Sequence, residues 1–149
     1  MIAIACDHGG FALKEEIKIW LTEKGIEFED FGCNSTASVD YADFALPAAE
    51  AVASGKCEKG ILICGTGIGI SMAANKVRGI RAACCSDCFS AEMTRLHNDA
   101  NILCMGGRVV GAGLALKMID LFLHTEFEGG RHATRIAKIA DIEKAQYEK

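Results

Sequence analysis

The chain has 149 residues, half of them apolar, eight cysteines and a formal net charge of −4. That length suits one domain, 1–149, with a core of its own. The acidic balance without a Lys/Arg block excludes a general nucleic-acid binder, and no apolar run approaches the ~18–20 residues of a membrane span.

In chain order, Met1–Ala5 reads as a strand. Asp7 and His8 end its apolar run and no basic segment precedes it, so it does not read as a signal peptide. Gly10–Lys24 reads as a helix, with Phe11, Leu13, Ile17, Trp20 and Leu21 near 3.6-residue spacing and Gly25 as its stop. Glu27–Phe31 alternates as a half-exposed strand, Gly32–Val39 is a polar loop, and Ala42–Ala53 is helical, with Pro47 expected near its first turn or at a kink. Gly60–Cys64 is the central strand, and a helix is expected from Ser71 to Lys76. Gly79–Cys85 is a further strand, followed by a helix through Ser90–Leu96. Asn101–Met105 is the fifth strand, Ala112–His124 a strong helix, and a terminal helix covers about 133–147.

Strands alternating with helical spacers predict an α/β fold whose five-stranded parallel sheet is covered on both faces. In such sheets, sites form at the carboxyl ends of the strands. That rule gathers Cys6-Asp7-His8, Cys64-Gly65-Thr66, Ser86-Asp87 and Gly106-Gly107-Arg108 along one rim. The apolar fraction is more than the surface of so small a domain can hide, so self-association is the expected outlet.

Ile61 to Ser71 carries the most information. A buried strand runs into Cys64 and then into Gly65-Thr66-Gly67-Ile68-Gly69, a glycine-rich turn ahead of a helix. Backbone N–H groups at such a turn favour an anion, and thiols at helix N-termini are favoured as thiolates. The arrangement suits a base or nucleophile beside an anion-stabilising loop. As a nucleotide fingerprint the turn is weak: Ile70 stands where G-x-G-x-x-G needs glycine, although Asp87 lies near the distance of a ribose-binding acid. A Walker loop is excluded because no Gly-Lys-Ser/Thr follows. Cys85-Ser86-Asp87-Cys88 is formally C-x-x-C, but no second pair completes a zinc site, and a dithiol redox role is the alternative. Most of the eight cysteines read as small buried hydrophobes in a reducing cytoplasm.

Three basic groups remain. Asp7-His8 sits at a strand end, before Gly9-Gly10. His97 either serves a site or answers its own helix C-terminus. Arg131 and Arg135, at i and i+4, either collect a phosphate or answer Glu126 and Glu128, and Arg108 at another strand end favours phosphate.

Taken together, the motifs resemble the ribose-5-phosphate isomerase B family, with its allose-6-phosphate and galactose-6-phosphate isomerase relatives. The resemblance spans nearly the whole chain. It rests on Cys-Asp-His-Gly-Gly at 6–10, Asp40-Tyr41, Ile-Cys-Gly-Thr-Gly-Ile-Gly at 63–69, Ala74-Asn75-Lys76, His97-Asn98-Asp99, Gly106-x-Arg108-Val109-Val110, and Glu128-Gly-Gly-Arg-His132 with Arg135. It implies a Rossmann-like three-layer α/β/α domain that isomerises a phosphorylated aldose and ketose without metal or other cofactor. Ribose 5-phosphate is the first expectation; a C6 substrate such as allose 6-phosphate is the alternative, and a dinucleotide-binding or dithiol module the more distant one. By the same resemblance Cys64 is the base and His97 opens the sugar ring. Asp7, His8, Tyr41, Gly65, Thr66, Gly67, Ile68, Gly69, Asn98, Arg108, Arg131 and Arg135 contact substrate. The turn around Thr66 also suits an enediolate oxygen, which places Thr66 with the catalytic groups. A full set of residues in one chain implies a homodimer or dimer of dimers, with sites shared between subunits and the terminal helix in the contact.

Overall fold

The computed structural model describes residues 1–148; only the last residue of the expected domain, Lys149, lies outside the described residues. Five strands, β1 (Ile2–Cys6), β2 (Phe28–Asp30), β3 (Lys59–Cys64), β4 (Ala82–Cys84) and β5 (Ile102–Gly106), form one sheet. Every pairing in it is parallel, in the order β2-β1-β3-β5-β4. Among the described residues there are also six helices: α1 (Phe11–Glu23), α2 (Tyr41–Ala53), α3 (Ile68–Ala74), α4 (Cys88–Asn98), α5 (Ala112–His124) and α6 (Arg131–Tyr147).

β1, β3 and β5 are buried along their whole length, which is why they read as continuous apolar runs and not as alternations. The alternation is still present, but between two cores. Ile2, Ile4, Ile61, Ile63, Leu103 and Met105 face α1, α4 and α5, where Leu13, Ile17, Met118, Ile119 and Phe122 fill the layer. Ala3, Ala5, Leu62, Cys64, Ile102 and Cys104 face α2 and α3. That second layer is built on small side chains, Ala45, Ala48, Ala49 and Ala51 of α2 against the alanines of β1, so α2 lies close on the sheet. Crossovers toward the β2 side use the first face and those toward the β4 side use the second, as one constant hand of βαβ connection requires. The order reverses between β1 and β3, whose exits diverge to opposite faces and leave a crevice.

Several boundaries differ from the sequence reading. α3 begins at Ile68, three residues ahead of Ser71, because Gly67 at φ 81° turns the chain directly into the helix. β4 is only three residues, Ala82–Cys84, and Cys84 is exposed because this edge strand has a neighbour on one side only. Cys88 is also only half-buried, while Cys33 and Cys57 are buried outside any strand. Pro47 falls in the second turn of α2, inside the helix. α6 starts at Arg131, which puts Arg131 and Arg135 one turn apart on the same helix.

Lys14 is the largest side chain with no exposed surface. Its ammonium donates to Asp30 Oδ1 and to the Cys33 carbonyl, both at 2.6 Å, tying α1 to the exit of β2. Burial works against the charged form of Asp30, but hydrogen bonds from Lys14, Lys18 and the Gly32 N–H outweigh it and hold the carboxyl below its ordinary value. Its stabilising contribution is therefore complete above the unfolded value of about 3.9 and is lost as pH falls through the lower folded value. Asp30→Asn leaves a buried ammonium without its counter-charge and is expected to cost about 3–5 kcal/mol. Urea denaturation at neutral pH checks this; an unchanged midpoint would show that the pair contributes nothing.

Candidate active site

The crevice between β1 and β3 opens into a cleft of about 420 Å³ lined by Asp7, His8, Tyr41, Cys64, Gly65, Thr66, Gly69 and Arg108, together with Ser38, Val39 and Asp40. Three strand-end loops meet there, and they meet backbone to backbone. A Cβ on Gly10 would lie 2.5 Å from the Ile63 carbonyl oxygen, one on Gly107 2.6 Å from that of Gly9, and one on Gly106 2.7 Å from the Thr66 carbonyl carbon. The Gly107 and Arg108 amides donate to the carbonyls of Cys64 and Gly65 at 2.8 and 3.1 Å, so the exit of β5 is hydrogen-bonded onto the exit of β3.

Cys64 ends β3 with 3% of its surface exposed, at the cleft wall. The Gly67 amide donates to its sulfur at 3.1 Å, a contact that strengthens when the sulfur carries charge. The Thr66 hydroxyl accepts from the Ile68 amide at 3.2 Å, holding the turn. Arg108 lies over Gly65: a Cβ there would be 3.1 Å from Nη1. Tyr41 packs on Gly69, where a Cβ would be 2.7 Å from the ring. The buried Asp7 accepts from the Gly9 amide at 2.9 Å. His8 Nδ1 accepts from the Val39 amide at 3.2 Å, which leaves the proton of a neutral ring on Nε2.

The neighbouring thiols are held protonated. Burial, with Cys64 close by, raises Cys84, burial pushes Cys85 up to about 11, and complete burial raises Cys104 well above the ordinary thiol value. A raised Cys85 is the wrong direction for an attacking dithiol. The nucleotide reading loses its acid as well, because Asp87 caps α4, accepting from the Ser90 amide at 2.7 Å and hydroxyl at 2.8 Å.

His97, Asn98, Arg131 and Arg135 are not in this cleft. α4 starts just past the carboxyl end of β4 and ends where the chain turns back to enter β5, so His97 and Asn98 lie at the edge where the strands begin. The Glu128 amide donates to the Leu96 carbonyl at 3.1 Å and brings the start of α6 to the same place. Strands of five or six residues put the two edges roughly 15 Å apart. Arg131 and Arg135 are exposed, and Glu128 faces His132, at 3.7 Å, instead of them.

Sequence reasoning missed two parts of the site region. Ser38, Val39 and Asp40 line the cleft from what reads as a polar loop, and only Asp40-Tyr41 in the motif set signalled them. His132 falls within a motif without a role of its own, and Glu128 enters only as a counter-charge for the arginines. In the structure His132 is buried and its ring stacks on His97, with centroids 4.3 Å apart. Burial, then the neighbouring His97, pushes its imidazole below the ordinary value.

A parallel three-layer sheet with a cysteine-centred, glycine-walled cleft at its topological switch point defines a Rossmann-like enzyme domain. The ribose/galactose isomerase family profile matches residues 2–139, and the chain belongs to that family. It is 51% identical over 143 residues to the ribose-5-phosphate isomerase B of Escherichia coli (strain K12), covering 96% of each chain. It is 43% identical over 143 residues to the D-erythrulose-4-phosphate isomerase of Pectobacterium atrosepticum, covering 95% of this chain and 94% of that one. A solved structure of the ribose-5-phosphate isomerase B of Clostridium thermocellum superimposes with a TM-score of 0.96 at 59% identity, over 97% of this chain and 98% of that one.

Gly67 carries the conformational demand of the site: φ is 81° and a Cβ would lie 2.6 Å from the Met105 carbonyl carbon. Gly67→Ala is expected to destabilise the fold by about 2–4 kcal/mol and to lower turnover, because the amide that donates to Cys64 is displaced. Denaturation and steady-state kinetics on the variant check both; a parent-like Tm and kcat would contradict this account.

Proposed function

We propose that the protein is an aldose–ketose isomerase that interconverts ribose 5-phosphate and ribulose 5-phosphate, with Cys64 as its base. The observation that carries the mechanism is the Cys64 sulfur at the cleft wall, with an amide donor 3.1 Å away and a guanidinium over the same turn. As a thiolate, Cys64 takes the proton from the carbon next to the carbonyl. It returns that proton to the neighbouring carbon through a cis-enediolate, so one base serves both transfers. The amides of the Thr66–Gly69 turn stabilise the developing oxyanion, and Asp7, His8, Tyr41 and Arg108 hold the sugar phosphate around it.

Pentose phosphates exist largely as closed rings, so an acid–base group must first open them. His97 is assigned this step and Arg131 with Arg135 the phosphate. Since both lie at the far sheet edge of their own chain, the assignment requires a second copy, in a homodimer or dimer of dimers with sites shared between subunits. Exposed apolar side chains beside the cleft support such a contact: Ile68, Met72, Phe89 and Val109 are between 51% and 72% exposed. Ile139 and Ile142 of α6 are exposed as well. A cytoplasmic enzyme of pentose phosphate metabolism follows from this reading.

Removal of a positioned base costs about 10²–10⁴ in rate. Cys64→Ala should therefore lose that much kcat while still binding inorganic phosphate, and retention of full activity would sink the mechanism. Arg131→Ala and Arg135→Ala should mainly raise KM, because the phosphate is remote from the reacting carbons. Mixing Cys64→Ala with Arg131→Ala protein under subunit exchange should restore activity; no recovery would place both residues' work in one chain. The D-erythrulose-4-phosphate isomerase among the relatives favours a second reading, a shorter C4 substrate. Specificity constants measured on C4, C5 and C6 sugar phosphates decide between them, and a higher kcat/KM on any other sugar would overturn ribose 5-phosphate as the substrate.

A further inference from the structure

At the edge where the strands begin, two imidazoles and a carboxylate converge on a point that no hydrogen bond serves. His132, in the first turn of α6, is 5% exposed. Its Nε2 is the one buried side-chain nitrogen or oxygen among the described residues without a hydrogen-bond partner. An orphaned polar atom of this kind is destabilising, and such groups are rare enough in native folds to call for a reason. The nearest carboxylate oxygen is Glu128 Oε2 at 3.7 Å, beyond hydrogen-bond range. The His97 ring stacks on His132 at 4.3 Å with 15° between the planes. One ligand atom from each of His97, Glu128 and His132 lies within 4.8 Å of the other two.

We propose that His97, Glu128 and His132 form a binding site for a borderline divalent transition metal, Zn²⁺ being the representative ion, whose occupancy stops turnover by withdrawing the His97 imidazole. Two imidazoles and one carboxylate make a donor set that three-coordinates zinc and leaves one position to water. The same donors suit Co²⁺ and Ni²⁺, whereas Ca²⁺ and Mg²⁺ need more oxygen ligands than this cluster offers. Metal–ligand bonds of about 2.0–2.2 Å require the donor atoms to draw together by roughly 1 Å or more. The cluster is built for that movement. His132 is the buried member of the three, and its backbone is held by its amide, which donates to the Gly129 carbonyl at 3.1 Å. Glu128 is exposed and His97 only half-buried, so burial does not lock either side chain in place. The His97 ring must rotate out of the stack to turn a nitrogen toward the shared ion, because the two stacked planes cannot both point at one centre. Arg131 and Arg135 weaken a cation here and Glu128 offsets them, which makes the site one of moderate affinity.

The metal site itself does not depend on the proposed function; its inhibitory effect rests on His97 acting in ring opening. The two are tested separately. Metal-free full-length protein is titrated with Co²⁺ and with Zn²⁺, following the visible Co²⁺ spectrum and the imidazole proton resonances of His97 and His132. The same titration is run on Glu128→Gln, His132→Gln and Cys64→Ala proteins. The cysteine variant is needed because thiolates also bind zinc. The expected result is one ion per chain, no thiolate charge-transfer band, perturbed resonances for both histidines, and binding weakened about tenfold or more in Glu128→Gln and His132→Gln but not in Cys64→Ala. Glu128→Gln, an exposed substitution, keeps the test intact if His132→Gln does not fold. Binding that is lost in Cys64→Ala and unchanged in Glu128→Gln would overturn the site. In the activity arm, Zn²⁺ should inhibit the parent and inhibit Glu128→Gln at least tenfold less strongly. Stoichiometric binding at the two histidines without inhibition would leave the site standing and remove His97 from ring opening.

Discussion

The contact on which the rest of this structure depends is the direct packing of three strand-end loops, backbone against backbone, at the carboxyl edge of the sheet. Gly10 lies on the end of β3, Gly107 on Gly9, and Gly106 on Thr66, each too close to admit a Cβ. Those approaches bring Asp7, Cys64 and Arg108, at the exits of three different strands, to the wall of one cleft. They also explain why the β5 exit can hydrogen-bond to the Cys64 and Gly65 carbonyls instead of leaving them to solvent. The thiol is therefore held by the sheet on one side and by the amide of Gly67 on the other, on a scaffold with little freedom to drift. The role proposed for Cys64, a base that reaches two adjacent carbons in turn, needs that kind of placement.

The two edges of the sheet do different work. The carboxyl edge carries a thiol, a guanidinium and a glycine turn. The amino edge carries a pair of stacked imidazoles and two exposed arginines on a helix that contributes only His132 to the buried set. α6 is tied to the body at both ends, through the Glu128 amide at one and through the Tyr147 hydroxyl, which donates to the Lys76 carbonyl at 2.8 Å, at the other. Between those ties Ile139 and Ile142 are each more than half exposed. A helix so lightly buried by its own chain gains most from burial against another, which is the physical argument for reading the two edges as halves of shared sites.

Much of the fold was legible because its signals are local. β1, β3 and β5 show as apolar runs since burial on both faces demands it, and α1 and α5 show as 3.6-residue patterns since each covers one face. The start of α3 is not legible locally, because glycines argue against helix in any local scale, whereas here Gly67 is the turn that begins it. Cys84 sits in an apolar run of the kind that reads as buried; only the sheet order shows β4 to be an edge strand. Lys14 reads as an ordinary charge on a helix, and nothing near it in sequence announces the Asp30 and Cys33 contacts that permit its complete burial.

The layer architecture, the cysteine at the end of the central strand, and the set of motifs that place the chain in its family are all legible before folding, because periodicity and short motifs are written in neighbouring residues. Which of those motifs meet is set by the packed fold. It joined the loop at 38–40 to the cleft, separated His97, Arg131 and Arg135 from Cys64 by the length of a strand, and stacked His97 on a buried, unpartnered His132. The reason is that a parallel strand carries its two ends to opposite edges of the sheet, and which edge a residue reaches depends on the direction of every element between, which no local pattern records.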